Sequence, residues 1–257
     1  MKPYTYLLID FFTIIVCFIA SFDKRIQFNK QFGAFFLSAT IVAIPFISWD
    51  IWFTKTGVWW FNTDYTTGIM LAGIPIEEWL FFFCIPFACI FTYYCLDKFF
   101  NLRWTSAFNN AIVFLGFIVC VVLMLLYYNR TYTFVTAMVT LTVLFFLHFI
   151  AKKEWIGEAT IVYLILMLGF FPVNGILTGI GLENPVVNYN PSEFIGIRMF
   201  TIPVEDAVYG YSQFLLNIYF FKLLQNEMKN EKGSRKKMNR NKVMLLAERD
   251  NSLNEIG

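Results

Sequence analysis

The stretch AGIPIEEWLFFF, residues 72–83, sets Glu77 and Glu78 side by side at the mouth of an aromatic, strongly apolar run. Charges beside a segment that enters a bilayer are costly and mark either function or a specific structural need. The surrounding 257 residues are 58% hydrophobic, with mean hydropathy +0.59 and 15% charged side chains. Soluble domains carry about a quarter charged residues, so the composition is that of an integral membrane protein. A net charge of +2 gives no footprint for nucleic acid. The 32 Phe side chains predict that any internal cavity is aromatic-lined. Cys17, Cys84, Cys89, Cys95 and Cys120 lie in apolar stretches without metal-ligand spacing, and read as small apolar fillers.

Working outward from Glu77, seven apolar segments reach the ~20 residues a spanning helix needs. They are 4–22, 33–53, 75–96, 108–128, 131–150, 159–180 and 203–224. The first is long enough to span, has no small-residue cleavage site, and is expected to stay as a span. Loop charge sets the orientation. Lys24, Arg25, Lys30, Lys98, Arg103, Lys152 and Lys153 fall on one side, with Lys229, Lys232, Arg235, Lys236 and Lys237 of the tail. The other side holds only Lys2, Lys55, Arg130 and Arg198. The basic side is expected to be cytoplasmic, with the N-terminus outside and the C-terminus inside a cell inner membrane. The tail, 225–257, reads as soluble and partly disordered, with anionic lipid or a partner protein as an alternative role for its charge.

The opening motif occurs twice. IPVED at 202–206 repeats IPIEE at 74–78, an offset of 128 residues. The same offset pairs Phe61-Asn62 with Tyr189-Asn190, and Gly68-Ile69 with Gly196-Ile197. An offset of 124 pairs Asp50 with Asn174, Thr54 with Thr178 and Gly57 with Gly181. The expected fold is therefore all-α integral membrane: seven transmembrane helices as two parallel three-helix repeats joined by a linker helix. The expected units are 1–104, 105–130 for the linker, 131–224, and the tail. Glu77/Glu78 and Glu205/Asp206 then open spans 3 and 7 at one face, the outer one. Asp50 and Asn174 end spans 2 and 6 there, and Asp10 lies about two turns into span 1.

Helix capping accounts for one such motif: Pro at a helix start followed by an acid is ordinary. Capping accounts less well for two matched copies, each behind a long polar-aromatic loop, GVWWFNTDYTTG (57–68) and GLENPVVNYNPSEFIG (181–196). Adjacent carboxylates at an apolar boundary repel one another and favour sharing one proton. A carboxylic acid beside a carboxylate, facing an apolar space, is a proton donor with a counter-charge at hand. The chain has no GxGxxG fingerprint, no P-loop and no DDxxD cluster. Its single histidine, His148, sits at the far end of span 5, and no metal site or Ser-His dyad can be assembled. Carboxylates, Asn, Thr, Trp and Tyr beside an aromatic interior suit acid-initiated chemistry on an apolar polyene, with aromatic faces tolerating a carbocation.

The PxE(E/D) motifs, the strings WDIWFTKTGVWWFN (49–62) and VNGILTG (173–179), and the two three-helix repeats resemble the membrane lycopene cyclases of the heterodimer type. Members of that family carry the two halves as separate subunits or fused, and this chain resembles the fused form over residues 1 to about 224. The resemblance implies cyclisation of lycopene ψ-ends to β-rings, giving γ- and β-carotene, as an isomerisation without cofactor or metal. It implies lycopene or a related carotenoid as substrate, membrane lipid as surroundings, and other carotenoid enzymes as candidate partners. Glu77, Glu78, Glu205 and Asp206 are the expected catalytic acids. Asp50, Asn174, Asn62 and Asn190 are expected to support them, and Trp49, Trp59, Trp60 and Tyr65 to line the end-group pocket or form an interfacial belt. Asp206 for Glu78 and Asn174 for Asp50 make the halves unequal.

Two other classes fit parts of the pattern. Parallel three-plus-one-plus-three repeats also occur in small-solute transporters, but the polar groups here gather at one face. A retinal protein needs a lysine in the middle of span 7, whereas Lys222 falls at its boundary, where snorkelling explains it.

Overall fold

The structure is a computed structural model describing residues 2–254, with side chains described through Asn230. It is almost wholly helical: α1 Thr5–Ala20, α2 Phe32–Thr56, α3 Ile76–Phe99, α4 Asn109–Leu126, α5 Thr131–Phe145, α6 Ile156–Leu177 and α7 Val204–Asn254. Six stretches, all but α7, are long and apolar enough to cross a membrane, among the described residues. The seventh expected span is the first part of α7, whose Phe214, Leu215, Ile218 and Phe221 join the same core as Phe28, Phe35 and Phe87. The chain is thus an all-helical membrane protein. α5 ends in a π-helical turn, Phe146–Ile150, that carries His148 within 3.5 Å of Asn109 Nδ2. Beyond Leu224, where composition pointed to a partly disordered tail, α7 continues unbroken; Lys, Arg, Glu, Met and Leu there favour helix. The side chains of Lys232, Arg235, Lys236 and Lys237 lie outside the described residues.

The loops between helices carry six short strands: β1 Trp59–Phe61, β2 Met70–Leu71, β3 Ile74–Pro75, β4 Val187–Tyr189, β5 Arg198–Met199 and β6 Ile202–Pro203. They repeat with the sequence. The β2–β3 hairpin pairs Met70 with Pro75 and Leu71 with Ile74; β5–β6 pairs Arg198 with Pro203 and Met199 with Ile202. Ile76 N–H donates to the Ile69 carbonyl, and Val204 N–H to that of Ile197. Each partner lies 128 residues beyond its counterpart. Pro75 and Pro203 end the hairpins, so the acids occupy the second and third helical positions of α3 and α7.

One pairing joins the halves. β1 runs antiparallel to β4, with Trp59 opposite Tyr189, Trp60 opposite Asn188 and Phe61 opposite Val187. Asn62 N–H donates to Val186 O at 2.8 Å, and Asn190 N–H to Val58 O at 2.9 Å. A shift of 128 exchanges the two strands, so the contact is self-complementary, as at a two-fold interface. Lys2 Nζ reaches Glu183 at 3.0 Å and Asp64 at 3.8 Å, which puts the start of α1 at this same end. At the opposite end Lys98 donates to Ile26 O, and Lys222 Nζ stands 4.9 Å over the Tyr93 ring and 5.6 Å over Trp155. Lys222 thus stands at the end of the bundle away from the acids.

Ala72 and Gly73, between β2 and β3, both have positive φ, 55° and 92°. A two-residue hairpin of this kind prefers Asn-Gly, because Asn tolerates the left-handed region better than Ala. Ala72→Asn is expected to stabilise the protein by about 0.5–1 kcal/mol, read as a higher midpoint of thermal unfolding in detergent. A lower midpoint would contradict the turn geometry.

Candidate active site

A cavity of about 560 Å³ lies below the strand pair, among α1, α3, α6 and α7. At its end beneath the strands are Glu78, Asp206, Asp50 and Asn174, with Tyr6, Tyr132, Tyr189 and Trp59. Farther in, the wall is largely apolar, from Phe81 and Ile85 to Leu166 and Phe214, with Thr13, Thr92, Tyr163, Gln213 and Asn217 among its polar exceptions.

The two acids of each motif have different environments. Glu77 and Glu205 are buried but do not line the cavity. Glu77 Oε1 accepts the Thr67 N–H at 2.6 Å, and Glu205 Oε1 accepts the Ile195 N–H at 2.8 Å. Thr67 and Ile195 are 128 residues apart, each at the end of the long loop that returns to its helix. Glu205 also takes the Thr133 hydroxyl at 2.7 Å, and the second oxygen of both acids has no protein partner among the described residues. These carboxylates tie loop to helix.

Glu78 and Asp206 turn into the cavity. Glu78 Oε2 accepts the Tyr6 hydroxyl. Asp206 takes two phenols, Tyr132 at 2.6 Å on Oδ1 and Tyr189 at 2.7 Å on Oδ2. Burial and the neighbouring Asp206 carboxylate push the Tyr189 phenol well above its ordinary value, so it stays a protonated donor. Glu78, Asp206 and Asp50 share the wall of one cavity. Asp50 Oδ1 accepts Trp59 Nε1 at 2.6 Å, and its Oδ2 has no protein partner among the described residues.

Several expected site residues stand elsewhere. Asn62 and Asn190 do not reach the acids; their side chains accept the backbone N–H of Asp64 and Ser192 and cap the turns after β1 and β4. Asn190 also donates to Gly57 O at 3.3 Å. Trp49 packs on Phe46, Phe53 and Tyr209 outside the cavity. Trp60, next to Trp59 in a strand, points to the opposite face and is 47% exposed. Tyr65 is buried against Tyr6, Leu177 and Val186, and its oxygen accepts the Asn184 N–H. Of the four aromatics expected in the pocket, Trp59 is the one on the cavity wall.

Tyr6, Tyr132 and Tyr189, which hydrogen-bond the two cavity carboxylates, are not among the site residues the sequence singles out. Tyr6 and Tyr132 begin α1 and α5, 126 residues apart, and a tyrosine near a span's outer end reads as an interfacial anchor. Only the packing of α1 on α3 and of α5 on α7 shows that both phenols point inward. Four residues on, Asp10 and Thr136 are likewise buried, and both oxygens of Asp10 lack a protein partner among the described residues.

Fold and site together define an integral membrane protein of two related halves, with carboxylates held by phenols at the head of an apolar cavity. The family model for lycopene cyclase matches residues 3–96 and again 129–224, leaving out α4. The chain belongs to that family, as a fused two-repeat member, and is a carotenoid cyclase in general class. No curated protein and no solved structure matches it.

If Glu77 and Glu205 act as loop anchors, Glu77→Ala and Glu205→Ala leave a buried N–H unpaired and cost about 1–3 kcal/mol each. Glu77→Gln and Glu205→Gln keep a carbonyl acceptor and cost less. Thermal unfolding of the four purified variants checks the order; equal losses for Ala and Gln would remove the anchoring role.

Proposed function

We propose that this protein cyclises the ψ-end groups of lycopene to β-rings, with Glu78 and Asp206 as the proton-transferring pair. The observation that carries this reading is the cavity head, where two carboxylates, each held by phenols, meet an otherwise apolar, aromatic wall. Glu78 accepts one phenol and keeps an oxygen free to carry a proton. Asp206 has both oxygens occupied by phenol donors, the setting of an acceptor.

In the proposed sequence the Glu78 carboxylic acid protonates C2 of the end group, leaving a cation at C1. The C5–C6 double bond attacks C1, forms the C1–C6 bond and moves the cation to C5. Asp206 removes the proton from C6, which closes the C5–C6 double bond of a β-ring. One proton enters and one leaves, so there is no net redox change. The Trp59, Tyr132 and Tyr209 rings lie beside the head and offer negative faces to the cation. Asp50, held by Trp59, adds a second carboxyl group to the wall that holds Glu78, and Asn174 supplies an amide at the equivalent position. The halves run parallel in the membrane around α4, with the acid-bearing end outside, the N-terminus outside and the C-terminus cytoplasmic; the loop charges support this orientation.

Expression in bacteria that accumulate lycopene, with chromatography of the pigments, tests the reading. The wild-type protein is expected to yield γ- or β-carotene. Glu78→Gln and Asp206→Asn are expected to lower conversion at least about 100-fold, and Tyr6→Phe about tenfold through loss of one charge-assisted hydrogen bond. Unchanged lycopene with the wild-type protein in the membrane overturns the activity. Full conversion by both amide variants overturns the assignment of the acids.

A further inference from the structure

The cavity is not closed on all sides. Its α6 wall includes Ile165 and Leu168, and Leu168 is 78% exposed although it stands mid-helix in an apolar span. Beside it, Gly169 also lines the cavity, and a Cβ built there meets nothing within 4 Å. Across the gap, α1 and α3 contribute Thr13, Phe81 and Ile85.

The gap has fixed ends. At the inner end Tyr93 of α3 donates to Glu158 of α6 at 2.9 Å. On the α7 side, Tyr163 donates to Ala207 O at 2.7 Å. At the outer end Leu177 packs with Tyr6 and Ile9 of α1, and Thr178 shares a 2.6 Å hydrogen bond with Thr201. Between these ties the middle of α6 stands off from α3.

The other half of the repeat lacks this gap. The offset of 124 places Phe46 and Trp49 of α2 where α6 has Phe170 and Val173. Phe46 and Trp49 are buried on Tyr209, with ring centroids 5.1 and 4.7 Å apart. That side is packed with aromatic rings, while on the α6 side the space beside Gly169 is empty.

We infer that the window between α6 and the α1–α3 pair is the entrance by which one end of an apolar, unsaturated chain passes sideways from the bilayer to the carboxylate head. This rests on the proposed cyclase reading for its reaction, but not for its geometry. A polyene dissolves in the hydrocarbon core, so a side window spares it a passage through water. The remainder of the chain stays in lipid along Leu168 while its end reaches Glu78.

Gly169→Trp fills the window without touching an acid, and its Cβ has room. Leu125→Trp, on the exposed face of α4, is a matched control for an added indole in the membrane. Both variants and the wild type are expressed in lycopene-accumulating bacteria. Two quantities are measured at equal membrane protein: lycopene converted, and carotenoid retained per protein after purification in detergent. Gly169→Trp is expected to lose at least about tenfold in both, the scale of a steric exclusion from an apolar pocket, while Leu125→Trp follows the wild type. Undiminished conversion and retention by Gly169→Trp overturns the window. Retention that depends on Gly169 without conversion by the wild type keeps the window and rejects the cyclase. Neither retention nor conversion by the wild type rejects both.

Discussion

A carboxylate taken out of water must find donors, and in a membrane interior it must find them within the protein. Four acids at the strand-bearing end of this bundle meet that demand in two ways. Glu77 and Glu205 take backbone N–H groups from the ends of their own loops. Glu78 and Asp206 take phenols from neighbouring helices and, for Tyr189, from strand β4. The first arrangement fixes each long loop to the helix it precedes; the second fixes α1 to α3 and α5 to α7. Because the loops are so held, β1 and β4 are carried to the middle and pair across the halves. The cavity beneath exists because those strands roof it.

The repeat supplies symmetry and the site departs from it. Backbone contacts of the hairpins and strand pair recur at one offset, so the frame is common to both halves. The side chains lining the cavity are not: in the repeat Asp50 is matched by Asn174, Trp59 by Val187 and Phe61 by Tyr189. Asp206 has two phenol partners where Glu78 has one. One half is richer in acid, with Asp10, Asp50 and Glu78; the other pairs its single cavity acid with more donors. A symmetric pair of carboxylates would be equivalent in proton affinity. Unequal hydrogen-bond surroundings remove that equivalence. The same inequality, in Phe46 and Trp49 against Phe170 and Val173, closes one flank of the cavity and leaves the other open.

Much of this was legible in the chain because hydrophobic length and offset are one-dimensional properties. The run from Ile76 to Phe99 is a helix for the reason it reads as one, and IPIEE and IPVED land at equivalent places because equal sequence builds equal turns. The doubled acids divide between two surroundings: consecutive residues on a helix point about 100° apart, so only the second of each pair faces the cavity. Trp59 and Trp60 separate for the strand's own reason, alternation across its two faces.

The sequence by itself determined the solvent, the helices, the duplication and the identity of the acids, since each follows from composition or local pattern. The tertiary structure alone decided which acid anchors a loop and which faces the cavity, that Tyr6, Tyr132 and Tyr189 are their partners, that Asn62, Asn190, Trp49, Trp60 and Tyr65 serve elsewhere, and which flank opens. Each depends on which side chain another helix or strand presents at a given depth. That is set by packing between segments more than 60 residues apart for Tyr6 and Glu78, or Tyr132 and Asp206, and no local pattern encodes it.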